Sequence, residues 1–404
     1  MNQATTDFIR EHAEADVRQL ALQGTKNPEV DLTFALEQIA GHQKAKTKLP
    51  TWAAIDGIIY PPHLSMEQCS SEQTARYKAS IAGKGALMVD LTAGFGVDMA
   101  FVSPSFQRAV HVERQAPLCA ISLENFKCLG LNHIEVVCAD GVEYLHQLDH
   151  ADLIYLDPAR RDDHGGRTYG IADCTPNVLE LRDELLQKAD RVMLKLSPML
   201  DWRKAVEDLG NVSEVHIVSV DNECKELLII LSNGLTRINT DGVCVVCVNL
   251  LSNGNHDIFA FSHDDSPFSS VFVRCPKYLF EPNASIMKAG CFALLEQRFK
   301  VAQLDKNSHL FVSDKDISDF PGRRFIIEKT TSMNKHELKA ALAGIDRANI
   351  TVRNFPMSVA ELRKRLKLKD GGDIYLFATT VNFSPKKFGD LRKTLYLCKA
   401  VPKI

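Results

Sequence analysis

The stretch Leu87 to Asp98, L-M-V-D-L-T-A-G-F-G-V-D, most constrains what this chain can fold into. Leu87, Met88, Val89 and Leu91 form a short apolar run of the kind that makes a strand buried on both faces of a parallel sheet. Gly94 and Gly96 let the backbone turn sharply and approach a ligand with no Cβ in the way. The residues that follow, V-D-M-A-F-V, read as the first turns of a helix, whose free amides and positive dipole end would face that ligand. Two cofactor classes use such a turn, the nicotinamide dinucleotides and S-adenosylmethionine. A dinucleotide fold asks for G-x-G-x-x-G, and here the third position is Met99. A strand, turn and helix with two glycines also occurs in α/β proteins where it binds nothing.

The residues downstream repeat one pattern. Arg108 to Arg114, R-A-V-H-V-E-R, is a second short strand, ending in Glu113 about 20 residues past the glycines, where an acid can accept hydrogen bonds from ribose hydroxyls. A third strand, Ile134 to Cys138, leads to Asp140-Gly141, and a fourth, Ala151 to Leu156, to Asp157-Pro158-Ala159-Arg160-Arg161. Each acid sits where its strand stops, the carboxyl edge at which open α/β sheets bind ligands.

Over roughly Leu87 to Ser232 the chain resembles the class I S-adenosylmethionine-dependent methyltransferases, with four motifs in order: the glycine turn, Glu113, Asp140 and the D-P-A-R tetrad. The resemblance implies a Rossmann-like seven-stranded sheet of α/β class, with S-adenosyl-L-methionine as cofactor. It places Asp90, Thr92, Ala93, Gly94 and Gly96 around the methionine part of that cofactor, Glu113 at the ribose, and Asp140 with Gly141 at the adenine. Asp157, Pro158, Ala159 and Arg160 fall on the catalytic tetrad that nucleic-acid amino methyltransferases write [DNS]-P-P-[YFW]. Here alanine stands third and arginine replaces the stacking aromatic. Tyr169 is the nearest ring that could take its place. Cys174, the nearest thiol, lacks the P-C signature of pyrimidine-carbon methylation. Strands five to seven follow as Val192 to Leu196, Glu214 to Val220 and Leu227 to Leu231.

Charge is split along the chain. From Pro321 to Ile404 there are 18 Lys and Arg against 7 Asp and Glu, while the preceding residues carry 30 against 44. A basic appendage on an acidic body is the footprint of nucleic-acid binding. The bland alternative is a helix with a solvated basic face, which E-L-R-K-R-L-K-L-K at Glu361 to Lys369 satisfies locally. The same segment alternates strand and helix and resembles the THUMP-like module at the C-terminus of a bacterial family of predicted methyltransferases, related to the cap-type RNA guanine amino methyltransferases. The resemblance of the whole chain is to that family, and it implies an RNA partner, rRNA or tRNA. The expected organisation is a helical N-terminal segment (1–85), a methyltransferase domain (86–235), a small α+β ferredoxin-like domain (236–318) and a basic THUMP-like RNA-binding domain (319–404).

Composition excludes other classes. No run approaches ~18 uninterrupted apolar residues and the N-terminus lacks a basic-then-apolar signal, so a cytoplasmic protein without membrane contact is expected. The 11 cysteines follow no spacing rule. The tight pair Cys244 and Cys247 lies in V-C-V-V-C-V with no second pair, which reads as a strand rather than zinc, and no metal is expected. Arg161, Arg167, Lys195 and Lys288 are candidate substrate contacts, beside Glu281 and Asn283. Arg160 or Arg161 could instead pair with Asp162 or Asp163. Ser65, and the serine pair before Glu72, read as helix caps in a segment that could close over the cofactor. The alternatives to an RNA methyltransferase are a ribosome-assembly factor that binds S-adenosylmethionine and RNA without turnover, and a protein methyltransferase.

Overall fold

The computed structural model describes residues 2–160, 170–233, 242–262, 273, 276–382 and 391–402 of the 404-residue chain. The chain divides into two compact units, Met1–His216 with Lys225–Val243, and Ile217–Cys224 with Cys244–Ile404.

The first unit begins with six helices, α1 (Gln3–Glu11), α2 (Val17–Gln23), α3 (Leu32–Lys48), α4 (Pro50–Ala53), α5 (His63–Gln68) and α6 (Glu72–Ile81). Side chains close most of their open ends: Asn2, Asp16, Asp31 and Ser71 each accept a first-turn amide. Such caps satisfy donors that a helix start leaves orphaned. Ser71 caps α6 as the sequence suggests. Ser65, by contrast, lies inside α5, which starts two residues earlier behind Pro62. Leu49 to Leu64 reads as a loop by its prolines and glycine, but it contains α4, opened by Pro50 in its first turn, where a missing N–H costs nothing.

A sheet follows: β1 (Gly85–Asp90), β2 (Phe106–Glu113), β3 (Ile134–Cys138), β4 (Ala151–Leu156), β5 (Ala189–Leu196), β6 (Val212–Val220) and β7 (Glu223–Ser232). Helices α7 (Val97–Val102), α8 (Ala116–Cys128), α9 (Gly141–Gln147), α10 (Val178–Lys188) and α11 (Trp202–Leu209) connect them. These seven are neighbours within a nine-stranded sheet, in the order β3-β2-β1-β4-β5-β7-β6. Strands β1 to β5 pair in parallel, and β7 runs antiparallel to β5. The direction of winding reverses between β1 and β4, the switch point at which such sheets open a ligand crevice. The N-terminal helices belong to the same core as the sheet: Leu49, Trp52, Tyr60 and Met66 are buried in one cluster with Met88, Phe95 and Phe126.

In the second unit, β8 (Cys244–Leu250) and β9 (His256–Ser262) form a hairpin around S-N-G-N-H, whose turn residues favour one. Cys244 is exposed and Cys247 buried, because positions three apart on a strand face opposite ways. The strands β10 (Tyr278–Pro282), β11 (Ala302–Gln303), β12 (Phe311–Ser313), β13 (Gly322–Ser332), β14 (Asn349–Arg353), β15 (Ile374–Asn382) and β16 (Leu391–Val401) form a second sheet, ordered β11-β12-β10-β13-β16-β15-β14. Ser285 to Phe299 reads from the sequence as one helix, but it forms two, α12 (Ala284–Ala289) and α13 (Phe292–Phe299), broken where Gly290 turns left-handed at φ 69°. Helices α14 (Lys335–Ala341) and α15 (Val359–Leu366) complete the alternation read in the basic segment.

Candidate active site

Local sequence fixes the β1 turn. Gly94 and Gly96 adopt φ of +56° and +86°, a region that side chains avoid. At Gly96 packing adds a second reason, since a Cβ would lie 2.7 Å from the Phe126 ring and 3.2 Å from the His111 ring. His111, fully buried in β2 against the edge of Phe126, is driven down to about 3 by its burial and stays neutral beneath the turn. Gly94 differs: a Cβ there would meet nothing closer than the Thr92 carbonyl at 4.0 Å, so its glycine leaves open space above the backbone.

Hydrogen bonds stitch the other strand tips to this turn. The Leu91 and Ala93 amides donate to the carbonyls of Tyr155 on β4 and Val112 on β2, each at 3.1 Å. Glu113 accepts from the Gly94 amide at 2.9 Å and the Gln115 amide at 2.7 Å. The Ala139 amide reaches the Glu113 carbonyl at 3.1 Å. Asp140 is exposed and caps α9, accepting from Val142 at 2.8 Å. Beside it Gly141 presses on β1, where a Cβ would fall 2.0 Å from the Leu91 carbonyl oxygen. After β4, the Asp157 amide donates to Thr92 Oγ1 at 2.6 Å. The tips of β2, β3 and β4 are thus gathered around the single turn that follows β1.

Asp90 is 1% exposed and accepts from the Thr92 amide at 3.0 Å. Burial raises its carboxyl well above the ordinary carboxylate range, and the nearby charges of Asp98, Asp157 and Glu113 push the same way. Between the ordinary range and that raised value the folded chain keeps a proton the unfolded chain has lost, so this group weakens folding as pH rises. Asp90→Asn is therefore expected to stabilise the chain by roughly 1–3 kcal/mol at alkaline pH, a gain that shrinks on acidification. Melting curves across the pH range check this, and a pH-independent offset would count against it.

Behind the turn lies a charge network that the sequence did not disclose. Lys78 of α6, fully buried, sits 3.1 Å from Asp98 Oδ1 and donates to both Glu226 oxygens at 2.8 Å. Asp98, in the first turn of α7, also accepts from Ser70 Oγ at 2.8 Å and the Tyr155 hydroxyl at 2.7 Å. Burial opposes its charge, but the charges of Lys78 and Lys195 and the hydrogen bonds from Tyr155 and Ser70 together outweigh it and hold Asp98 below the usual range; Glu226 is raised by its burial. The one available signal was a carboxylate set among the apolar residues of V-D-M-A-F-V.

The remaining candidates separate. Lys195, near the end of β5, is ion-paired with Asp157. Pro158 is buried, and Ala159 is exposed in a two-residue ribbon that pairs Ala159 with Thr175 and Arg160 with Cys174. The Arg160 side chain, and Arg161, Asp162, Asp163, Arg167 and Tyr169, lie outside the described residues. In the second unit Glu281 is buried and paired with Arg323 and Arg353, and Asn283 caps α12 rather than standing free for substrate. Lys288 is half-buried on α12. Among the described residues no group of His, Cys, Asp and Glu could hold a metal ion, and no helix is long and apolar enough to cross a membrane.

The donor set fits S-adenosylmethionine: open space over Gly94, carboxylates at the tips of β1 and β2, and an exposed acid after β3. This sheet and site define a class I S-adenosylmethionine-dependent methyltransferase. The chain is similar over 99% of its length, and 98% of the other's, to a candidate methyltransferase of known crystal structure from Porphyromonas gingivalis W83, with 32% identity and a TM-score of 0.87. It belongs to that protein's family, and its own second half matches a ferredoxin-like domain at residues 278–321 and a THUMP domain-like module at 322–397. Slighter likenesses cover 40% of the chain. M. capricolum TrmK, solved with S-adenosyl-homocysteine, matches over 68% of its own length at 12% identity and a TM-score of 0.32. An rRNA methylase from Streptococcus thermophilus matches over 95% of its length at 15% and 0.30. Likenesses this slight add nothing to the assignment. No curated protein matches the chain.

Proposed function

We propose that this methyltransferase acts on structured RNA, rRNA or tRNA, and methylates an exocyclic amino nitrogen of a base. In this reading Asp90, Thr92, Ala93, Gly94 and Gly96 hold the methionine part of the cofactor, Glu113 the ribose, and Asp140 with Gly141 the adenine. When bound, the cofactor supplies a methyl group already activated by its sulfonium. The chain's own work is then to align the amine and exclude water.

The observation that carries the target atom is Asp157. Its backbone is fixed by Thr92 and its side chain, 38% exposed, is reachable from solvent. An aromatic amine is a poor nucleophile because its lone pair is delocalised. A carboxylate at Asp157 and the carbonyls beside Pro158 can accept the amine's hydrogens, favour its attack and disperse the positive charge that develops. Arg160, Arg161 and Arg167 follow closely in sequence and would contact phosphates. Lys288 is a further candidate contact.

The RNA half of the reading is supported by the THUMP domain-like match and by the basic surface of that module. Lys364, Arg365, Lys367 and Lys369 are exposed at the end of α15, and Arg347 is bridged to Lys369. Removing the whole basic segment is a poor test, because β13 pairs with β10 in the same sheet and its loss would unseat that unit. Reversing Lys364, Lys367 and Lys369 to Glu in the full chain is expected instead to weaken RNA binding at least 10-fold and to flatten its steep decline with salt. Filter binding at several salt concentrations measures both, and salt-independent binding would contradict the reading. Methyl transfer is tested with tritiated S-adenosylmethionine and total RNA from cells lacking the protein; label in protein, or none, would overturn the substrate assignment.

A further inference from the structure

Lys195 has no part in the chemistry above, yet its surroundings are built. In the parallel pairing of β4 and β5, Leu156 lies opposite Leu194, so Lys195 comes up beside Asp157. Its side chain is 14% exposed and its ammonium is bonded to Asp157 Oδ2. The other buried lysine, Lys78, is spent on Asp98 and Glu226. Asp157 also lies within the fields of Asp90 on β1 and Tyr155 on β4, neither a cation. Facing Lys195 from the remaining elements are Asp98 of α7, Glu226 of β7, Lys48 at the end of α3, and Cys69 just after α5. Burial alone would weaken the hold of Lys195 on its proton. The carboxylates outweigh that effect and raise it, so the lysine is a permanent cation at neutral pH.

We infer that Lys195 is a positioning residue for methyl transfer: it touches no substrate but holds the Asp157 carboxylate oriented, leaving that group's second oxygen for the substrate amine. This rests on the reading of Asp157 as the amine's acceptor. A carboxylate only accepts, so the nucleophile must bring its own hydrogen, as an amino group does and an unprotonated ring nitrogen does not.

The test is single-turnover transfer of tritiated methyl from saturating S-adenosylmethionine to total RNA from cells lacking the protein. Lys195→Met should cost roughly 10- to 100-fold at neutral pH, while calorimetric affinity for S-adenosylhomocysteine changes less than about 3-fold. Lys195→Arg keeps the charge and should recover most of the rate. If Lys195 acts only through Asp157, adding Lys195→Met to Asp157→Asn costs no further rate, and this double variant leaves no unpaired lysine to unfold the chain. An arginine variant as slow as the methionine one, or additive losses in the double variant, would overturn the inference. Failure of the unmodified chain to label RNA would overturn the substrate reading and this inference with it; labelling with additive losses in the double variant would overturn this inference alone.

Discussion

Asp157→Asn is expected to lower methyl transfer by roughly 100- to 1,000-fold while leaving affinity for S-adenosylmethionine nearly unchanged. The asparagine keeps the shape and the backbone amide that bonds Thr92, so the β1 turn is not disturbed. It loses the negative charge and half the acceptor capacity, which are what the developing cation on the amine needs. Asp157→Ala removes more, because it also leaves the Lys195 ammonium buried without its partner. Transfer rates and calorimetric cofactor affinity, measured side by side, separate the two roles open to this residue. Equal loss of both would move Asp157 into the cofactor site.

Lys78→Met should have the largest effect on stability. Two carboxylates, Asp98 and Glu226, share this one ammonium as their direct partner, and both are buried. Breaking a buried pair by removing one partner strands the other's charge and costs about 3–5 kcal/mol. The loss should be felt at the cofactor turn, because Asp98 stands in the first turn of α7, directly after Gly96. A chain of two units need not unfold in one step, so the probe must report on one of them. Trp52 and Trp202 are its two tryptophans, both buried in the first unit, and their fluorescence in denaturant follows that unit alone. Glu226→Gln added to Lys78→Met should restore part of the stability; a loss under about 1 kcal/mol for Lys78→Met would show that the network carries little.

The strand-tip acids were legible because the physics is local. An apolar run long enough for a buried strand, stopped by an acid, says where that acid will stand once strands align in parallel. Glu113, Asp140 and Asp157 all followed that rule. The partners of those acids were not legible, because they come from far along the chain. Lys195 was read as facing substrate, since a lysine near a strand tip looks solvent-directed, and nothing local announces that Asp157 waits on the neighbouring strand. Lys78 was passed over because a lysine on a polar helix reads as a solvated charge; the packing of α6 on α7 is what buries it. Contiguous reading also hid the division of the chain. It could not show that Ile217–Cys224 leaves the first unit and that β7 returns to it, nor that the N-terminal helices share the sheet's core. The broken helix at Gly290 was in principle readable, since a glycine there favours a left-handed stop over continued helix.

The central claim is that the tips of four neighbouring strands make one crevice for an activated methyl donor, and a crystal structure of the full chain with S-adenosylhomocysteine tests it most directly. The account predicts the amino-acid end over Gly94 and Asp90, the ribose at Glu113, the adenine beside Asp140 and Gly141, and the sulfur turned toward Asp157. Ligand seated at any other edge of the sheet, or a ligand with Glu113 and Asp157 out of reach, would contradict it.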